Sequence, residues 1–227
     1  MFYLDPTYMV YALPGLLLAI WAQAAVRGTF AHYARVPTST GVTGAQVAEI
    51  FMRLTGLRVG LNRIPGMLTD SYNPSNKTLN LSQSSVQNSV ASVAVVAHEF
   101  GHALQDAQNY VPLRVRGAIV PAVNLGSWVG PVLFFIGLYL QNYNLALVGA
   151  VAFAATTVFA IVTLPVELDA SNRAMQLLTS NGVLVGEELT GARKVLNAAA
   201  FTYVAAVAQS LFQLLYFVSL LVGRRRA

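Results

Sequence analysis

Four runs without a single charged side chain limit what this chain can fold into: residues 8–26, 117–140, 145–164 and 198–223. The first, YMVYALPGLLLAIWAQAAV, has 19 residues, and the others have 24, 20 and 26. A helix needs about 20 apolar residues to cross ~30 Å of hydrocarbon. Backbone polar groups in lipid are satisfied only inside helices or closed barrels, and runs of this length read as helices. The composition agrees, because 56% hydrophobic and 10% charged residues with a mean hydropathy of +0.57 are too apolar for a soluble enzyme. The run at 8–26 is expected to be retained rather than cleaved as a signal peptide. It has Asp5 ahead of it instead of a basic segment, and it is long for a signal core. Pro14 is tolerated there as a kink. Pro121, Gly126, Gly130 and Pro131 interrupt the second run, and the polar turn at 141–144 joins it to the third as a hairpin.

Charge and cysteine usage exclude other classes. There is no cysteine, so neither disulfides nor thiolate metal sites are available. The net charge of +5 comes from basic residues scattered near the ends of the apolar runs. No aromatic and basic stripe appears, so no nucleic-acid partner is expected.

Between the first two runs, residues 27–116 read as a water-facing domain at the membrane surface. Val47, Ile50, Phe51 and Leu54 recur at helical spacing and Gly56 stops the pattern. A short strand is expected near 57–64, and 78–81 alternates like a strand after the turn-rich 70–77, which together suggest a small β-hairpin. A helix is expected to begin near Ser82 to Ser85 and to carry HEFGH at 98–102.

HEFGH is an instance of H-E-x-x-H. On a helix, residues i and i+4 share a face, so His98 and His102 can present both imidazoles to one Zn²⁺. Glu99 lies beside them, where a carboxylate can take a proton from water on the metal. The chain has three histidines, and two of them fall in this spacing. The flanks are apolar, an odd setting for a charged cluster without a partner. The alternative is a surface helix with two solvated histidines and a glutamate. Gly101 costs about 1 kcal/mol of helix propensity relative to Ala, and a small residue there lets another backbone or a substrate approach closely.

A catalytic zinc takes three protein ligands and an open position. His32, just past the first apolar run, is one candidate for the third, although such a histidine more often packs or sits at the membrane interface. Glu167 in LPVELDAS is the better one. Pro165 before it suits the first turn of a new helix.

HEFGHALQ, followed downstream by LPVELDASNRA and GARKVLNAAAFTYVAA and preceded by GMLTDSYNP, resembles the YugP-like neutral zinc metallopeptidases of bacterial membranes over nearly the whole chain. In plan the family is similar to gluzincin-type membrane proteases. That resemblance implies His98 and His102 as zinc ligands, Glu167 as the third ligand and Glu99 as general base. One departure stands out. The better-known proteases place an Asp four residues after the ligand Glu, whereas this chain has Ser171 there and its acid at Asp169. Two residues apart on a helix means different faces. Asp169 is therefore expected to pair with Arg173 at i+4, or to orient a ligand histidine.

The expected fold is mainly α: an integral membrane protein with about four transmembrane helices and a small zincin-like α+β domain at the membrane surface. The segments are 1–26 as the first transmembrane helix, 27–116 as the surface domain, 117–165 as a transmembrane hairpin, 166–197 as the helical segment with the third ligand, and 198–227 as the last transmembrane helix with its basic tail. The hairpin returns Glu167 to the side of the membrane that holds His98 and His102. The apolar stretch before His98 is too short to span, which puts the zinc at or near the membrane surface.

The expected activity is that of a membrane-bound zinc endopeptidase acting on protein or peptide substrates, in contact with the lipid bilayer and with membrane-protein partners or further copies of itself. Arg173, Tyr203 and Tyr110 are candidates to stabilise the oxyanion. A membrane scaffold with a structural or vestigial metal site, or a metal hydrolase acting on a non-peptide bond, is the rival reading. Eleven basic residues on the site side favour a cytoplasmic site in a multi-pass protein of the cell membrane. The terminal Arg224, Arg225 and Arg226 oppose that orientation, unless the last segment is re-entrant.

Overall fold

Each of the four uncharged runs lies in a single long helix, apart from Leu140 at the end of the second. The computed structural model describes residues 6–225; Asp5 and Arg226, both used in the charge arguments, lie outside the described residues. The chain is mainly α. In order, the elements are α1 (Pro6–Tyr33), α2 (Gly44–Thr55), β1 (Gly60–Arg63), β2 (Ser71–Asn73), β3 (Thr78–Leu81), α3 (Val90–Ala107), α4 (Val111–Tyr139), α5 (Tyr143–Ser180) and α6 (Glu187–Arg225). Among them α1, α4, α5 and α6 are long and apolar enough to cross a membrane.

The chain divides into two compact units. One comprises Met1–Ala22, Arg114–Pro165 and Thr202–Ala227, and the other Gln23–Leu113 and Val166–Phe201.

The first unit is built from the apolar helices. Phe134 stacks on Phe217 with ring centroids 4.0 Å apart, and Ala146, Ala150, Tyr216 and Leu221 complete the buried cluster. Prolines 121 and 131 lie inside α4, which continues through both. Gly126 and Gly130, which the sequence suggests as interruptions, are points of close approach instead. A Cβ at Gly126 would strike the carbonyl oxygen of Ala152, and one at Gly130 would lie 2.8 Å from the nitrogen of Phe153. Membrane helices associate through such small residues because lipid gives no hydrophobic drive between them.

The second unit has an ordinary apolar core. Thr43 begins α2 with a capping box to Gln46, and Gly56 ends it at φ 70°. Val47 and Phe51 of α2 are buried against Val93, Val96 and Phe100 of α3, and Phe51 meets Phe100 edge to face at 5.5 Å. Leu54, of the same periodic set, is exposed. The hairpin expected between 57–64 and 78–81 does not form: β1 pairs with β3 in parallel, and the antiparallel partner of β3 is β2, which lies in the stretch read as a turn, giving the order β1-β3-β2. The helix carrying HEFGH starts later than expected. Residues Gln83–Val86 form a 3₁₀ turn, and α3 begins at Val90 behind the Ser89 N-cap. The serines of that region are drawn off by Asp70, whose carboxylate accepts from the Ser82 amide at 2.8 Å and from the Ser82 and Ser85 hydroxyls.

Pro165 does not open a helix. It lies within α5, because a helix already propagating through the preceding apolar run carries on past a proline once neighbouring groups compensate for its missing donor. The break falls after Ser180, with Gly182 at φ 60°.

Candidate metal centre

Three side chains converge in the second unit: His98 and His102 from α3, and Glu167 from α5. Nε2 of His98 lies 3.1 Å, and Nε2 of His102 3.5 Å, from the same carboxylate oxygen of Glu167. One ligand atom from each lies within 4.8 Å of the others. No other group of three His, Asp or Glu among the described residues could share an ion in this way. His32 is exposed on α1 and packs against the Tyr33 ring.

The two helices meet at Gly101. A Cβ there would collide with the carbonyl oxygen of Ala170, so the glycine lets α5 come close enough for Glu167 to reach both imidazoles. His102 and Glu167 are buried, and His98 is half-buried.

Each imidazole is held from behind. Nδ1 of His98 lies 3.1 Å from Oγ of Ser171, at the position where the better-known proteases place an Asp. Nδ1 of His102 lies 2.9 Å from Oε1 of Gln105. The Gln105 amide cannot be turned round, because its Nε2 donates to the Val166 carbonyl and to Asp169, both at 2.8 Å. Its oxygen must then accept from His102 Nδ1–H, which leaves Nε2 as the nitrogen turned toward Glu167. Asp169 also pairs with Arg173 one turn on. The two roles considered for Asp169 are thus combined: it holds Arg173 directly and His102 through Gln105.

Arg173 is fully engaged. Beside Asp169 it donates to Gln108 at 2.6 Å, and its guanidinium lies 5.6 Å from the centroid of the Tyr110 ring. Tyr203 belongs to the other unit.

Glu99 does not join the three-atom cluster. Its Oε2 accepts a hydrogen bond from the Tyr72 amide of β2 at 2.8 Å. Burial raises the Glu99 carboxyl above its ordinary value; the nearby His98 and His102 oppose that, and the Tyr72 amide also favours the charged form. For His102 burial favours the neutral ring, but the Glu167 hydrogen bond and the Glu99 and Glu167 charges outweigh it, so its affinity for a proton is raised. The Tyr72 phenol is pushed up by burial and by donating to Asp106 at 2.6 Å. Lys77 pairs with that same Asp106.

The donor set suits zinc. Two imidazole nitrogens, one carboxylate and no thiolate match a His₂Glu catalytic site, and with Nδ1 of His102 committed to Gln105 its Nε2 is the nitrogen that faces the shared position. Gln105 and Ser171 were not legible as site residues. Their one sequence signal is position, three residues after His102 and four after Glu167.

The fold and this geometry agree with two comparisons. A family model described as "Putative neutral zinc metallopeptidase" matches residues 8–222. The chain is 40% identical over 220 residues to "Putative membrane protease YugP" of Bacillus subtilis (strain 168), covering 96% of this chain and 98% of that protein. No solved structure matches. The chain belongs to the neutral zinc metallopeptidase family that its helical membrane segments and HEFGH helix resemble.

Proposed function

We propose that this chain is a membrane-bound zinc endopeptidase with His98, His102 and Glu167 as metal ligands and Glu99 as general base. The observation that carries the reading is the placement of Glu99. Its carboxylate is next to the three-donor cluster, is fixed by a backbone amide and belongs to none of the metal-facing contacts. A purely structural metal site has no use for such a group.

When bound, zinc supplies a Lewis acid that lowers the pKa of a water to roughly 7 and polarises a carbonyl. The protein's residues do the rest. Glu99 takes the proton of the attacking water and returns it to the departing amine. The Tyr72 amide keeps that carboxylate aimed. Gln105 and Ser171 hold the imidazoles so that their lone pairs converge, and Asp169 with Arg173 anchors Gln105.

An extended substrate fits along β2. The Thr78–Leu81 strand is the central strand with both edges occupied, and residues 67–70 before β2 are not a strand. β2 is an edge strand, and its Tyr72 amide points away from β3 toward Glu99. With the Tyr72 N–H held by Glu99, a peptide laid there would bond to the Tyr72 carbonyl and lie beside the base. The eleven basic residues of the site-side loops support a cytoplasmic site, against the terminal arginines.

The test is elemental analysis of detergent-purified protein together with cleavage of a peptide library. We expect about one zinc per chain, lost in Glu167→Ala, and cleavage lost in Glu99→Gln while the metal is kept. Cleavage that survives Glu99→Gln, or zinc that survives Glu167→Ala, overturns the assignment. An ester panel run alongside separates peptidase from other hydrolase activity.

A further inference from the structure

The unit built from apolar helices contains a cavity of about 490 Å³, lined by Phe135, Phe153, Thr156, Gln209, Ser210 and Gln213 among others. Its walls are mostly apolar with a few convergent polar groups, the usual make-up of a binding pocket. The depth of those polar groups is what makes it unusual. Gln209 lies 11 residues into the uncharged run 198–223, and Gln213 lies 10 residues before its end. Thr156 sits similarly inside the run 145–164. At 1.5 Å per residue these positions fall near the middle of a ~30 Å hydrocarbon layer.

Of these polar groups Ser210 is satisfied, its hydroxyl donating to the Val207 carbonyl at 3.0 Å, and the other three are not. Thr156 Oγ1 is buried and has no hydrogen-bond partner among the described residues. Gln209, exposed on its helix, and the half-buried Gln213 one helical turn on also make no side-chain hydrogen bond to a described residue. Unmatched amides in hydrocarbon are costly, and polar side chains in membrane helices commonly bond across to another helix.

We propose that this cavity seats a transmembrane helix of another membrane protein, one carrying an uncharged hydrogen-bonding side chain (Asn, Gln, Ser or Thr) at mid-bilayer depth. Amides and a hydroxyl offer both donors and acceptors and no charge, so they complement a neutral polar group. A lipid cannot match them, because its polar atoms lie at the interface and its chain ends carry none. A second copy of this chain fits poorly, since a two-fold interface would set the concavity against itself, whereas a foreign helix is convex. The inference goes beyond the proteolytic reading and uses none of the metal-site residues.

The test is energy transfer between the labelled full chain and synthetic transmembrane peptides in vesicles of phosphatidylcholine and phosphatidylglycerol. One peptide is a leucine-rich helix with a central Gln, and its control has Leu at that position. We expect the Gln peptide to associate about threefold to tenfold more tightly. That preference should vanish in the Gln209→Leu/Gln213→Leu variant and shrink in Thr156→Val, with circular dichroism unchanged. Equal association of the two peptides, or a preference that persists in the double variant, overturns the proposal. So does pairing of labelled copies with each other through Gln209 and Gln213 in the absence of any peptide preference, which would make the occupant a second copy.

Discussion

Ser171 stands 3.1 Å from Nδ1 of His98, four residues after Glu167 on the same helix. One turn of α5 therefore supplies a carboxylate to the front of the imidazole and a hydroxyl to its back. Removing such a support typically costs tenfold to a hundredfold in metal affinity. Because a serine is a weak tether, we expect Ser171→Ala to weaken zinc binding by about tenfold, and Ser171→Asp to restore or exceed the wild-type value. Competition titration with a chelating dye measures it, and an affinity unchanged in both variants would remove Ser171 from the site.

Gln105 ties His102 to α5 through the Val166 carbonyl and Asp169. Gln105→Leu keeps the volume and loses all three bonds. It leaves the Val166 carbonyl and the His102 N–H buried without those partners, at about 1–3 kcal/mol for such a group. We expect a fall in both thermal midpoint and zinc affinity, the latter by about tenfold to a hundredfold. A drop in the midpoint alone would mean that Gln105 packs the helices without tuning the metal.

Gly101→Ala sets two effects against each other. Alanine gains about 1 kcal/mol of helix propensity, but its Cβ runs into backbone at Ala170, and overpacking costs typically 1–3 kcal/mol. A backbone atom cannot swing aside as a side chain can, so the clash wins. Lower thermal stability together with weakened zinc binding is expected. A more stable variant would show that α3 and α5 are not tightly apposed.

Tyr72 provides a pH signature away from the metal. Its phenol is pushed above its ordinary 10.0 by burial and by the bond to Asp106. The folded-state value exceeds the unfolded one, so the stability it contributes is complete below about pH 10. That contribution is lost as pH rises toward the folded value. In an ultraviolet titration, Tyr72→Phe should leave the ordinary phenolate rise of the other tyrosines unchanged and remove only the late one. The variant should also lose less stability between neutral and strongly alkaline pH than the wild type. An ordinary phenolate rise that shrinks in the variant would contradict the Tyr72–Asp106 bond.

Much of this was legible in the sequence because it rests on period and length. The four uncharged runs become helices, and His98 and His102 at i and i+4 share a face wherever the helix goes. Glu167 was legible as an acid returning to the chain after an apolar run. Gln105 was not, since a glutamine in a helix gives no sign of which way its amide points until α5 is beside it. Pro165 misled for a related reason, because local chemistry marks a helix start while the upstream helix continues past it. The parallel pairing of β1 was likewise out of reach. Adjacent short strands favour hairpins, and the crossover depends on where β3 lands in the sheet.

His98 and Glu167 are separated by 69 residues of chain, and a metal shared between them would close that whole stretch into a ring. Tying off a loop of this size removes freedom from the unfolded chain worth about 4 kcal/mol if it were a disulfide. This protein has no cysteine to make one. A zinc at this site would therefore act as its cross-link as well as its reagent, and a chelator would loosen the molecule while silencing it. Ligand substitutions confound the two losses. Glu99, which the proposed reaction uses and which does not close the ring, is the position where they come apart.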